Sequence, residues 1–90
     1  MSLQGVLRAT VDYAGGLILT GSPNVFINGK PVVRVGDTVA PHGTGIHGSA
    51  VMATGSATFT VNGIAVCRVG DLATCGDVGT PGSTQTVFSG

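Results

Sequence analysis

Three side chains of the kinds that bind transition metals stand in two segments of this chain of 90 residues. His42 and His47 lie among glycines, and Cys75 is followed directly by Gly76. Imidazole nitrogen and thiolate sulfur are the ligands that tetrahedral zinc prefers, with iron as a second possibility. The spacing of the two histidines is not a recognised zinc motif, so the chemistry depends on whether the fold brings the three side chains together.

A repeated unit supplies the elements that would position these side chains. Residues 21–37 read GSPNVFINGKPVVRVGD, and residues 55–71 read GSATFTVNGIAVCRVGD, in one fixed alignment. Each copy places an Asn-Gly pair between two apolar runs. This pair favours the type I′ turn, so each copy predicts a β-hairpin.

A third copy occupies residues 82–90 and stops where its hairpin turn belongs. Aligning Arg8 with the arginine of the other two units places residues 3–12 where the missing return strand should run. A lone hairpin is only marginally stable in water, so the three units must share a core. We therefore predict a single all-β domain over residues 1–90, in which the two chain termini pair to complete the third unit.

The connecting segments between the units carry the candidate metal ligands. If a threefold axis relates the units, these segments converge at one end of the molecule. His42, His47 and Cys75 would then meet near the axis, and the neighbouring glycines would allow the sharp turns that aim them inward. We expect one metal ion per chain, zinc first and iron second. The alternative is a metal-free loop with two solvated histidines.

Other candidate residues have structural interpretations. Cys67 takes the place of Val33 in the repeat, which indicates a small core residue rather than a disulfide partner of Cys75. Asp37 and Asp71 each end an Arg-Val-Gly-Asp element. We predict that they brace the turn by accepting hydrogen bonds from backbone amides, the alternative being an acid–base pair.

The composition favours strands and excludes some functions. Sixteen glycines disfavour helices, because glycine costs about 1 kcal/mol at a helix-interior position. The formal net charge is +0, so nucleic-acid binding has little electrostatic support. Only 9% of residues are charged and the mean hydropathy is +0.46, which predicts that part of an apolar surface is buried against a partner. The alternative is a glycine-rich chain whose tightly wound strands bury their own side chains. No signal peptide or membrane helix is evident, so we expect synthesis in the cytoplasm.

The repeated segments resemble the PAAR-repeat proteins, named for proline-alanine-alanine-arginine. That signature stands here as Pro31-Val32-Val33-Arg34 and Ala65-Val66-Cys67-Arg68, without the two alanines, while the Gly-Ser, Asn-Gly and Arg-Val-Gly-Asp elements match. The resemblance covers essentially the whole chain. It implies a small cone of short β-hairpins with pseudo-threefold symmetry, and a metal, usually zinc, near the vertex.

The resemblance also implies a function without catalysis. Such a protein caps the blunt end of a trimeric β-helical spike, one chain per trimer, and sharpens it for transient puncture of a target membrane. The spike is of the valine-glycine-repeat (VgrG-like) type in type VI secretion, or its counterpart in a phage tail or extracellular contractile particle, and effector proteins can dock there. The alternatives are a small zinc hydrolase, for which the chain offers no glutamate as general base, and a metal-free binding module.

One position departs from the family pattern. The family usually supplies a histidine in the first connecting segment, where this chain has Ala14-Gly15. His42, His47 and Cys75 match the remaining ligands. The fourth position is therefore left to Asp12, to water or to an incomplete site.

Overall fold

The computed structural model describes residues 4–82 and 87–90, and within these ranges regular structure is almost entirely short β-strand. One turn of 3₁₀ helix, Gly45–Gly48, accompanies the strands there. The strands are β1 (Gln4–Gly5), β2 (Tyr13–Ala14), β3 (Gly16–Leu17), β4 (Phe26–Ile27), β5 (Lys30–Pro31), β6 (Thr60–Val61), β7 (Ile64–Ala65) and β8 (Phe88–Ser89). No helix in the described ranges has the length and hydropathy to cross a membrane. The predicted all-β class is confirmed.

Two hairpins form at the Asn-Gly pairs. Strands β4 and β5 pair antiparallel, as do β6 and β7, and each pair is joined by two residues. The φ angles are 52° at Asn28 and 78° at Gly29, and 54° at Asn62 and 77° at Gly63. Two successive positive φ angles define the type I′ turn, whose twist matches that of the flanking strands. Both predicted hairpins are confirmed.

Two further antiparallel pairs are β2 with β3 and, at the two ends of the chain, β1 with β8. Strand β1 pairs with β8 in the register Gln4 to Ser89 and Gly5 to Phe88. Residue 3 and residues 83–86, which the predicted third unit also contains, lie outside the described ranges. The predicted pairing of the termini is confirmed by this register.

A closed ring of three backbone hydrogen bonds joins the units to one another. The N–H of Leu7 donates to the carbonyl of Cys67 at 2.9 Å, Cys67 donates to Val33 at 2.9 Å, and Val33 donates back to Leu7 at 3.0 Å. These three residues occupy the same position in their units. Each return strand therefore contacts both others, which lets strands of two residues share one framework despite their length.

The side chains of the ring residues and their neighbours form two apolar clusters. Leu7, Val33 and Cys67 belong to the larger cluster and have no measurable exposure. The preceding residue in each unit belongs to the smaller cluster, which comprises Val6, Val32, Val61 and Val66. Cys67 is a buried core residue with a free thiol, as predicted from the repeat.

The Arg-Val-Gly-Asp elements form the predicted braces. Asp37 accepts a hydrogen bond from the backbone N–H of Arg34 at 2.7 Å and another from the Thr20 hydroxyl at 2.9 Å. Asp71 repeats this arrangement, at 2.7 Å from the N–H of Arg68 and 3.0 Å from the Thr54 hydroxyl. Each aspartate thereby fastens the end of a return strand to the residue that precedes a Gly-Ser pair.

The connecting segments are paired edge to edge by isolated bridges. The segment of residues 37–54 is bridged to its two neighbours, residues 12–20 and residues 71–81, and these two are bridged to each other. The bridges between the segments are Tyr13–Thr80, Ile18–Val39 and Met52–Ala73. This circular pairing holds the three segments side by side, which is the arrangement that the candidate metal ligands require.

Candidate metal centre

Two connecting segments bring four metal-binding groups together. His42 and His47 come from the segment of residues 37–54, and Cys75 and Asp77 come from the segment of residues 71–81. One donor atom from each lies within 4.8 Å of every other, and we call these four residues the metal-ligand cluster. The structure thus gathers the two histidines and the cysteine that the sequence singled out, and it adds Asp77.

A tight loop folds the second histidine back over the first. The N–H of His42 donates to the carbonyl of His47 at 3.0 Å, and the N–H of His47 donates to the carbonyl of Thr44 at 3.2 Å. Gly45 opens the 3₁₀ turn with a φ of 62°, a conformation that favours glycine. The two imidazole rings consequently stand edge to face, with centroids 5.0 Å apart.

Both ring nitrogens of His42 face hydrogen-bond acceptors. Its Nδ1 lies 2.9 Å from the carbonyl oxygen of Ala40, and its Nε2 lies 2.7 Å from Oδ2 of Asp77. These contacts favour the protonated ring: the Ala40 carbonyl, followed by Asp77, raises the pKa of His42 above its usual value. If His42 held a metal ion, the Ala40 carbonyl would keep the proton on Nδ1 and so favour the tautomer that binds through Nε2.

The carboxylate of Asp77 is the point on which the other three groups converge. Its Oδ2 lies 3.2 Å from Nδ1 of His47 and 3.4 Å from the sulfur of Cys75, besides the short contact to His42. Hydrogen bonds from His42 first and Cys75 second lower the pKa of Asp77 below its usual value, against the opposing effect of burial. A carboxylate held anionic beside two imidazoles and a thiol is a donor set that suits zinc.

Asp12, which the sequence offered as a fourth ligand, is engaged elsewhere. Its carboxylate is fully buried and accepts hydrogen bonds from the backbone N–H groups of Arg8 and Gly82, each at 2.8 Å. Among the described residues, the metal-ligand cluster contains Asp77 and not Asp12. Asp12 is instead the third member of the brace series formed by Asp37 and Asp71.

The repeat itself carried a signal for this role of Asp12. It follows Arg8 by four residues, whereas Asp37 and Asp71 follow their arginines by three, so one inserted residue concealed the equivalence. Asp77 had no comparable signal in the repeat. Its role depends on contacts between segments that are distant in sequence.

The first connecting segment approaches the cluster with backbone alone. A Cβ atom built on Gly15 would lie 2.6 Å from Nε2 of His42, and one built on Gly16 would lie 2.9 Å from its Nδ1. Ala14 is fully buried in the larger apolar cluster. The segment therefore packs against the histidine without supplying a ligand of its own.

Comparison with known proteins identifies the family of the chain. The family described as the PAAR motif matches residues 9–79, which include both complete repeats and all four residues of the metal-ligand cluster. No curated protein sequence matches the chain significantly.

Proposed function

We propose that this chain, which belongs to the PAAR motif family, is the metal-stabilised tip of the central spike of a contractile injection system. The observation that carries the proposal is the convergence of His42, His47, Cys75 and Asp77 from two connecting segments in a chain of that family. The role is structural, and the tip performs no catalysis.

A metal ion would supply cohesion where apolar packing cannot. Residues 41–49 contain no buried residue, so hydrophobic burial contributes little to holding this part of the chain. When zinc is bound, its bonds to His42, His47 and Cys75 tie this segment to its neighbour. Structural zinc contributes on the order of 10 kcal/mol in small domains. The tip would thereby resist deformation when it meets a target membrane.

The strands at the Asn-Gly turns and at the chain ends offer an apolar surface for the spike. Phe26 on β4, Ile64 on β7 and Phe88 on β8 are 54%, 37% and 52% exposed, one on each of the pairs β4–β5, β6–β7 and β1–β8. Three such pairs around one ring of hydrogen bonds suit the end of a trimeric, VgrG-like β-helix, so one chain would cap three spike subunits. Docking would also cover the short strand edges, which otherwise invite aggregation.

The proposal extends to the location of the protein and to its further partners. The chain is made in the cytoplasm and carried outward on the spike of a secretion system, phage tail or extracellular particle. A pointed end concentrates the force of sheath contraction on a small area of membrane. Effector proteins would dock on exposed parts of the tip that face away from the spike.

Native mass spectrometry of the protein with a matching trimeric spike fragment tests whether one chain caps the spike, because it measures the stoichiometry of the complex. We expect one chain per three spike subunits. Replacing Phe26 and Phe88 together by serine should weaken the complex, whereas Leu19→Ser, at a residue that is 44% exposed on a connecting segment, should not. Equal numbers of the two proteins in the complex would refute the cap.

The test of the metal is elemental analysis of protein purified without chelators. We expect one zinc ion per chain, lost in His42→Ala together with a marked fall in melting temperature. A metal content near zero in the unmodified protein, with no loss of stability in His42→Ala, would refute the metal-stabilised tip.

A further inference from the structure

We propose that Asp77 is the fourth protein ligand of the metal ion and that Gly15 must lack a side chain for the Asp77 carboxylate to reach it. This inference rests on the proposed metal centre and specifies how the chain closes it. The ion would be held by two imidazoles, one thiolate and one carboxylate, all from this chain.

The separations among the four donor atoms fit a tetrahedral shell. Zinc bonds of about 2.0–2.1 Å to nitrogen, 2.3 Å to sulfur and 2.0–2.2 Å to oxygen place the corners of a tetrahedron roughly 3.3–3.6 Å apart. His47 Nδ1 lies 3.2 Å from both His42 Nε2 and Asp77 Oδ2. The sulfur of Cys75 lies 3.4 Å from Asp77 Oδ2 and 3.6 Å from His42 Nε2.

One edge is shorter than a tetrahedron requires. His42 Nε2 and Asp77 Oδ2 are 2.7 Å apart, which is the length of a hydrogen bond between charged groups. A cation that replaces the shared proton removes the reason for this closeness. Of the five measured separations, those of 3.4 and 3.6 Å fall in the tetrahedral range, the two of 3.2 Å lie just below it, and only the contact of 2.7 Å between His42 and Asp77 is clearly shorter.

Gly15 explains how the carboxylate comes to lie there. A Cβ atom at this position would lie 2.8 Å from the Asp77 carboxyl carbon and 2.6 Å from His42 Nε2, closer than real Cβ atoms approach their neighbours. A side chain at position 15 and the carboxylate at position 77 therefore compete for the same space. The φ of 82° at Gly15 adds a second reason for glycine.

The direct test replaces the proposed ligand with one that has its own spectroscopic signature. In the cobalt-loaded Asp77→Cys variant, we expect the thiolate-to-metal absorption to be about twice that of the unmodified protein, because a second sulfur enters the shell. X-ray absorption of the zinc form should likewise show two sulfur neighbours instead of one. An unchanged sulfur count would overturn the proposal.

A pair of further variants tests the role of Gly15. Asp77→Asn should lower zinc affinity in chelator competition by about 100-fold or more, since loss even of an outer-shell partner costs about 10–100-fold. Gly15→Ala should cause at least a comparable loss. In the Asp77→Asn background its additional loss should be smaller, because the part that acts through Asp77 is already gone and only the crowding of His42 Nε2 remains. Full additivity of the two losses would contradict the shared-space argument.

The matched control for backbone strain is Gly29→Ala. Gly29 also has a positive φ, of 78°, but has no atom near its would-be Cβ, so this change should leave zinc affinity unaltered. Failure of this inference is distinguishable from failure of the metal centre. If the unmodified protein binds one ion that His42→Ala abolishes, yet Asp77→Cys adds no sulfur, only the role of Asp77 is refuted.

Discussion

Thr10 occupies a backbone conformation that β-branched residues rarely adopt. Its φ is 69°, and the residues at the same point of the other two units are glycines, Gly36 at 94° and Gly70 at 98°. A left-handed conformation costs a residue with a Cβ roughly 1–2 kcal/mol. The unit that is assembled from the two chain ends therefore carries strain that the two continuous units avoid.

Thr10→Gly should consequently raise the free energy of unfolding by about 1 kcal/mol. Relief of the backbone strain stabilises the folded state, and the greater conformational freedom of glycine in the unfolded chain offsets part of that gain. Urea unfolding of the variant measures this directly. Ala57→Gly is the control, because Ala57 is exposed and is not among the residues with positive φ, so it should lose stability. A loss in both variants would contradict the strain assigned to Thr10.

The two thiols should differ in their reaction with an alkylating reagent. Burial first, and then the nearby charges of Asp71 and Asp37, raise the pKa of Cys67 to about 12, so its thiol stays protonated at neutral pH and reacts poorly. Cys75 is also mostly buried, with 8% of its surface exposed, and a bound metal ion would protect its sulfur further. Mass spectrometry should show alkylation of Cys75 after chelation and of neither thiol before it, and rapid labelling of Cys75 in the zinc form would contradict its role as a ligand.

At the scale of the elements, the brace at Asp71 couples stability to pH. Burial opposes ionisation of Asp71, but hydrogen bonds from the side chain and backbone of Arg68 and from Thr54 outweigh it, so the pKa lies below its usual value. The unfolded chain then binds the proton more readily than the folded one. The stabilising effect is fully present above the ordinary pKa near 4 and is lost as the pH falls through the lower, folded value.

Asp71→Asn should remove this dependence. At pH 7 we expect the variant to be less stable by about 1–3 kcal/mol, because it loses charged hydrogen bonds to Arg68. The difference from the unmodified protein should shrink towards pH 3. Urea titrations at several pH values test this. If the free energy of unfolding depends on pH in the same way for both proteins, Asp71 has the same pKa in the folded and unfolded states.

The elements that the sequence predicted correctly are those with a local cause. Asn28-Gly29 and Asn62-Gly63 set the turn type by their own backbone preferences, and the apolar runs beside them set the register. The pairing of the chain ends was also predictable, because the alignment of Arg8 with the other strand arginines carried it. That residues 1–90 form a single domain stays a prediction.

The parts of the site that escaped prediction depend on tertiary contacts. Asp77 reaches the histidines only because the first connecting segment packs beneath them with Gly15, and no periodicity marks that approach. Asp12 was one of three options for the fourth metal position, beside water and an incomplete site, because one inserted residue hid its likeness to Asp37 and Asp71. Both cases concern carboxylates, whose role as brace or ligand is decided by which backbone amides lie nearby.

Taken together, the three hairpin units form a ring that is interrupted at one place, between the two chain ends. Leu7, Val33 and Cys67 each donate one backbone hydrogen bond and accept one within this ring, although the unit of Leu7 is made of two separate chain ends. Strand β1 meets β8 in the register that an Asn-Gly turn closes in the pairs β4–β5 and β6–β7. The opening therefore lies where a turn would fit without moving any strand.

Closing this opening should stabilise the fold. In a cyclic chain of residues 4–89 joined by Asn-Gly, the unfolded state loses conformational freedom while the folded state keeps its register, so we expect up to about 4 kcal/mol of added stability by the chain-entropy estimate. Denaturant unfolding compares the cyclic and linear forms. A permutant with the same closure, opened instead between Asn62 and Gly63, should match the linear protein because it exchanges one open turn for another. If cyclisation adds nothing, the ends are not paired in solution, and the ring of three units loses its third member.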